Sequence, residues 1–160
     1  MKALWLENVH REAAVALRAA GVEVTAATGA LDEPELAEAL AGIDLLGIRS
    51  KTQVSAGTLA RFPGLLAIGA FCIGTNQINL DAASELGVAV FNAPFSNTRS
   101  VVELAIAEMI ALTRRLTEKN ASLHGGTWDK SATGAHEMRG RRLGIVGYGN
   151  IGREVARQLT

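Results

Sequence analysis

A chain of 160 residues with 48% hydrophobic and 20% charged side chains can bury a core and has room for one domain, or for one and the start of another. Sixteen basic and sixteen acidic residues cancel to a formal charge of zero, which removes the basic surplus expected of a nucleic-acid or membrane-surface binder. Cys72 is the only cysteine, so an internal disulfide and a cysteine zinc site are excluded, no metal is expected, and a buried thiol is the expected state.

Charge is unevenly spread. Residues 1–48 hold eight carboxylates against Lys2, Arg11 and Arg18, so the remainder is net positive, which suits an anionic ligand, although arginines scattered over solvated faces explain it as simply. The opening "MKALWLENVHREAA" has too short an apolar run for a signal peptide, and no stretch approaches the roughly 18 apolar residues of a membrane span. The expected compartment is the cytoplasm, with no membrane or nucleic-acid partner.

Short apolar runs alternate with amphipathic segments, the pattern of strands buried on both faces between crossover helices. "KALWL" (2–6) reads as the first strand. A helix follows, with Asn8 as its cap, Ala13, Leu17 and Ala20 on one face and Gly21 as its stop. "VEVTAA" (22–27) is the second strand. Asp32 with Pro34 and Glu35 marks a helix start with a capping box, running to about Ala41. "IDLLGIRS" (43–50) is a third strand ending in polar residues, and a short helix near 57–61 leads to a fourth, "LLAIGAF" (65–71). Asn79 caps a helix that Gly87 ends, and "VAVFN" (88–92) is the fifth strand. Five βα repeats predict an α/β fold, an open parallel sheet of flavodoxin-like type.

Residues 100–124 read differently. Ser100 and Glu103 have capping-box spacing, and Val102, Leu104, Ile106, Met109, Ile110 and Leu112 predict a helix buried between domains or subunits. A stretch rich in Gly, Ser and Thr (124–142) reads as a connection. "LGIVGYGNIGREVARQLT" then predicts a strand over 143–146, a turn with Gly147, Gly149 and Gly152 spaced G-x-G-x-x-G, and a helix from Ile151. At a strand-to-helix turn this spacing is a dinucleotide fingerprint: Gly147 for the tight turn, Gly149 for close approach of a pyrophosphate, and Gly152 for helix–strand packing. No Lys-Ser or Lys-Thr follows at Walker A spacing. The carboxylate that separates NAD from NADP is expected about 20 residues further on, past Thr160.

"IRSKT" (48–52), "FCIGTNQINLDAA" (71–83), "VFNAPFSNTRSVVELAIAEMIAL" (90–112) and "GRRLGIVGYGNIGREVA" (140–156) together resemble the D-isomer-specific 2-hydroxyacid dehydrogenases, in order and over almost the whole chain. The resemblance implies a substrate domain over 1–97, then over 98–160 a linking helix, a connecting loop and the start of a Rossmann domain that binds NAD. It sets Arg49 and Ser50 against the carboxylate or phosphate of a small 2-hydroxy acid, with Lys51 as a further cation. That location also follows from the rule that ligands of open α/β sheets collect beyond the carboxyl ends of strands. By the same resemblance Ile73 and Gly74 bring backbone N–H groups to cofactor and substrate. Asn97 lines the cleft, with helix capping as its competing role, and Arg99 faces the anion. Gly147, Gly149, Asn150, Ile151 and Gly152 meet the cofactor pyrophosphate.

The family's catalytic arginine, glutamate and histidine fall after Thr160, so the chain reads as a fragment containing no catalytic residue. His10, His124 and His136 lie outside the motifs and take no catalytic role. Trp128 and Lys130 lie where the family forms a subunit interface, which implies a homo-oligomer, a dimer or tetramer, in the complete protein. The competing readings are another D-2-hydroxyacid dehydrogenase, acting on glyoxylate, hydroxypyruvate or D-lactate, and a non-catalytic binding or dimerisation module of the same fold.

Overall fold

Alternation along the first strand decides how the sheet is packed. β1 (Lys2–Trp5) sends Leu4, with Leu6 just beyond, to one face and Ala3 and Trp5 to the other, because successive side chains in a strand point oppositely. The computed structural model describes all 160 residues, which fall into two units, Met1–Ser96 and Asn97–Thr160.

In the first unit β1 is followed by α1 (Arg11–Ala19), β2 (Glu23–Ala26), α2 (Glu33–Ala39), β3 (Leu45–Ile48), α3 (Ala56–Arg61), β4 (Ala67–Ala70), α4 (Leu80–Glu85) and β5 (Ala89–Asn92). The strands form one parallel sheet in the order β2-β1-β3-β4-β5, as the five βα repeats predict. The larger core joins α2, α3 and α4 to one face through Leu4, Leu6, Leu36, Leu46, Ile48, Leu59 and Ile68. Several of these are wholly buried, and each contributes about 1.5–3 kcal/mol of transfer free energy. The smaller core seats α1 on the opposite face, against Ala3, Trp5 and Val24.

The strands are shorter than their apolar runs because pairing stops where the chain turns away, and most caps form as predicted. Asp32 and Glu35 make the reciprocal capping box of α2. Asn79 Oδ1 accepts from Ala82 N at 2.9 Å at the start of α4, and Gly21 and Gly87 have φ of +80° and +73° where helices end. The cap of α1 is His10, whose Nδ1 accepts from Glu12 N, and not Asn8. Asn8 stands at φ 55°, in a left-handed turn that precedes the helix. Cys72 is half-buried where a buried thiol was expected, because the loop carrying it lies at the sheet edge.

The second unit contains α5 (Thr98–Thr113), α6 (Leu116–His124) and α7 (Asn150–Leu159). The single helix expected over 100–124 is broken, since Arg115 takes φ 53°, ψ 36°, a left-handed conformation that cannot continue a right-handed helix. Its guanidinium holds the break by donating to Thr133 O at 2.9 Å and to Glu118. The Ser100–Glu103 capping box does not form, because α5 starts two residues before Ser100 and Glu103 accepts from Arg99 Nε at 2.7 Å. Within this single chain Val102 of α5 is buried, while Leu104 and Leu112 are 60% and 73% exposed. α5 packs on α7.

Residues 143–146 form no strand. Extended backbone becomes a strand only when a neighbour completes its ladder, and Val146 is fully exposed. The helix after the glycine turn begins at Asn150, one residue before the expected start.

Candidate functional site

The carboxyl ends of β3 and β4 release two loops that are tied together from below. The β3–α3 loop carries Arg49, Ser50 and Lys51, all exposed, and neither cation is in an ion pair. Gln77, only 3% exposed, donates from Nε2 to Arg49 O at 2.7 Å and lies 3.4 Å from Gly74 O, spanning the loops of β3 and β4. Cys72 Sγ stands 3.4 Å from Arg49 O and 3.2 Å from Gly74 O. Its single proton serves one of them at a time. Asn92 Nδ2 donates to Ile73 O at 2.8 Å, linking the end of β5 to the same edge.

Glu7, just beyond β1, completes this edge. It is 8% exposed, and its two carboxylate oxygens accept from Thr52 N at 2.9 Å and Lys51 N at 3.0 Å. Burial by itself pushes the Glu7 carboxyl up. The hydrogen bonds from the Thr52 and Lys51 N–H groups outweigh it and hold the group below the usual carboxylate range. In the sequence Glu7 is simply one of the eight carboxylates of residues 1–48. A lone carboxylate directly after an apolar strand, at the end of the sheet where ligands collect, was the available signal.

In the second unit the glycine turn has two features only glycine tolerates. Gly147 sits at φ +92°, in the left-handed region. A Cβ at Gly152 would press into the Gly147 carbonyl oxygen, 3.2 Å from its carbon and 3.3 Å from Ile145 Cγ2. A Cβ at Gly149 would meet nothing within 4 Å, so no packing demand explains its lack of a side chain. No side chain caps α7, which leaves the first N–H groups of a ten-residue helix available to an acceptor. Asn150 Oδ1 accepts from Arg153 at 2.8 Å.

The structure brings Arg49, Ser50 and Lys51 to the same sheet edge as Ile73 and Gly74, and gathers Gly147, Gly149, Asn150, Ile151 and Gly152 into one turn. Asn97 and Arg99 belong to the second unit. Asn97 occupies the N-cap of α5 without a side-chain hydrogen bond, so the competing capping role is not realised. Arg99, in contrast, is held by Glu103, with Glu154 nearby, and both carboxylates push its pKa up. His10 caps α1 and His124 Nδ1 lies 2.9 Å from Asn120 O. Trp128 is 70% exposed, with Lys130 over its ring. No helix is long and apolar enough to cross a membrane.

An open parallel sheet with unpaired cations at its carboxyl edge, joined in sequence to a glycine turn that opens a helix, defines an α/β protein. Residues 3–154 match the D-isomer specific 2-hydroxyacid dehydrogenase catalytic domain, and the chain belongs to that family. D-3-phosphoglycerate dehydrogenase of Haemophilus influenzae is 48% identical over 157 residues, covering 98% of this chain and 38% of the relative. D-3-phosphoglycerate dehydrogenase 1 of Saccharomyces cerevisiae is 47% identical over 156 residues, covering 98% and 33%. Among solved structures, the NAD-dependent formate dehydrogenase of Staphylococcus aureus in complex with NAD matches with a TM-score of 0.77 at 26% identity, over 99% of this chain and 53% of that one. The chain thus spans well under half the length of these curated relatives.

Proposed function

We propose that this chain supplies the acid-binding loops and the dinucleotide turn of an NAD-dependent D-3-phosphoglycerate dehydrogenase, which oxidises 3-phospho-D-glycerate to 3-phosphohydroxypyruvate for L-serine synthesis. The observation that carries the reading is the β3–α3 loop, where Arg49 and Lys51 stand free of carboxylates at the carboxyl edge of the sheet. A substrate with both a carboxylate and a phosphate uses two cations, one as a planar fork and one as a point charge. Identity of 48% to a phosphoglycerate dehydrogenase supports the choice within the family.

Arg49 and Ser50 bind and orient the acid, and Lys51 adds charge for the phosphate. Ile73 and Gly74 offer backbone N–H groups, and Asn97, whose side chain makes no cap, is free to bind as well. Arg99 contributes only by releasing Glu103. The turn from Gly147 to Gly152 starts a Rossmann unit and fits a pyrophosphate: Gly149 is open, and the first turn of α7 is uncapped. Bound NAD supplies the acceptor for the hydride leaving the 2-carbon. Proton transfer belongs to the family's arginine, glutamate and histidine, which the resemblance places after Thr160. The same reading includes a homo-oligomer in which Trp128 and Lys130 face a neighbouring copy.

Thermal unfolding of the purified chain tests this. A ligand that binds only the folded state raises the melting temperature, by the equivalent of about 2.7 kcal/mol at one hundred times its Kd. 3-Phospho-D-glycerate should raise it more than D-lactate does, and Arg49→Ala should abolish the difference. An equal response from Arg49→Ala refutes the reading.

A further inference from the structure

A buried carboxylate beneath an anion site is electrostatically costly. It gives up hydration on folding, and it repels the anion the loop is there to hold. A neutral acceptor would avoid both costs. Glu7 nevertheless stands 8% exposed with no cation paired to it, and its backbone, like that of Asn8, is left-handed, at φ 59° and 55°, an uncommon state for residues other than glycine.

Its hydrogen bonds give the reason. Oε1 accepts from Thr52 N and Oε2 from Lys51 N, so both oxygens are used by two successive backbone donors. A carboxylate presents two acceptors side by side. A carboxamide would set its own NH2 against one of those N–H groups. On the other side of the loop, Gln77 Nε2 holds Arg49 O. The backbone from 49 to 52 is thereby fastened at a carbonyl and at two N–H groups, while the side chains of Arg49, Ser50 and Lys51 are left exposed.

Granted that Arg49 binds the acid, we infer that Glu7 is the positioning residue of that site: its carboxylate fixes the Lys51–Thr52 backbone and so presents Arg49, Ser50 and Lys51 to the substrate. The N–H groups of Lys51 and Thr52 are consumed internally. Within the first unit, affinity then comes from the three side chains and from the Ile73–Gly74 loop.

The sign of one substitution discriminates this role from simple electrostatics. By Coulomb's law alone, Glu7→Gln removes a repulsive charge and tightens anion binding. As a positioning residue, its loss lets the loop drift and weakens binding about tenfold, the factor that one strong hydrogen bond carries. Isotope-labelled 160-residue chain titrated with 3-phospho-D-glycerate and followed by NMR reads both affinity and the loop amides. Wild type, Arg49→Ala, Glu7→Gln and Glu7→Asp are compared. Expected are about tenfold weaker binding by Glu7→Gln, with fast hydrogen exchange at Lys51 and Thr52, and partial recovery of both by Glu7→Asp. Equal or tighter binding by Glu7→Gln, with Arg49→Ala weakened, overturns the inference alone. Affinity that survives Arg49→Ala overturns the acid-site reading and this inference together. Should Glu7→Gln fail to fold, the wild type decides: saturating ligand must shift the Ser50 and Gly74 amides while those of Lys51 and Thr52 stay protected from exchange, and rapid exchange there refutes the role.

Discussion

Alanine at Gly152 should destabilise the second unit although it lies in a helix. In an ordinary helix interior, Gly→Ala gains about 1 kcal/mol from backbone entropy. Here the new Cβ runs into the Gly147 carbonyl oxygen, and the carbonyl carbon and Ile145 Cγ2 stand at 3.2 and 3.3 Å. Relief takes a shift of about 1 Å of backbone on one side or the other. Overpacking of this kind costs about 1–3 kcal/mol, and the obstacle is main chain that cannot swing aside as a side chain would. Because the obstacle is main chain, the cost falls at the upper end, about 2–3 kcal/mol, and less the gain of about 1 the net expectation is a loss of about 1–2 kcal/mol, read as a lower urea midpoint in far-UV circular dichroism. Gly149→Ala is the control. Its Cβ meets nothing within 4 Å and its φ of −82° and ψ of −155° suit any residue, so stability should stay within about 0.5 kcal/mol of wild type. Binding of NAD, measured by calorimetry, should fall for both variants: at 149 because the methyl fills the pyrophosphate's approach, at 152 because the turn has moved. A Gly152→Ala chain as stable as wild type, or more so, would refute the packing argument. Full NAD affinity in Gly149→Ala would refute the cofactor assignment.

Ile68 is wholly buried in the larger core, and Ile68→Ala should cost about 2–5 kcal/mol by urea unfolding without altering the NAD response of the glycine turn. Asp32→Ala removes the Asp32 half of the α2 capping box and should cost about 1 kcal/mol, with most of it retained in Asp32→Ser. Glu154 is held at about 2 by hydrogen bonds from Arg157 and Gln158, below its unfolded value of 4.5. A depressed carboxylate stabilises the fold above its unfolded pKa and loses that contribution as pH falls through the folded one. The second unit should therefore lose stability between about pH 4.5 and 2, and Glu154→Gln should flatten that part of the profile in thermal unfolding. Finally, the 160-residue chain mixed with NAD and 3-phospho-D-glycerate should produce no reduced nicotinamide above the blank. Clear turnover would show that the chain's own residues supply the acid–base step.

What could be read directly from the residues was what local chemistry controls. Apolar runs of strand length between capped helices implied a parallel sheet, because each run is buried on both faces and each crossover needs a helix. Asp32, Glu35 and Asn79 marked their helix ends, since a cap is made within three residues. The cationic loop at 49–51 was legible for the same reason, as it directly follows the third apolar run. Contacts between distant residues were not. Glu7 and the Lys51–Thr52 backbone lie 44 and 45 positions apart, so the place of Glu7 directly after an apolar strand marks the end of the sheet but not the backbone it binds. Tertiary contact also broke the expected long helix at Arg115, where Thr133, 18 residues away, takes its guanidinium. It likewise left 143–146 without a strand, because a ladder needs a second backbone and periodicity in one segment cannot provide it.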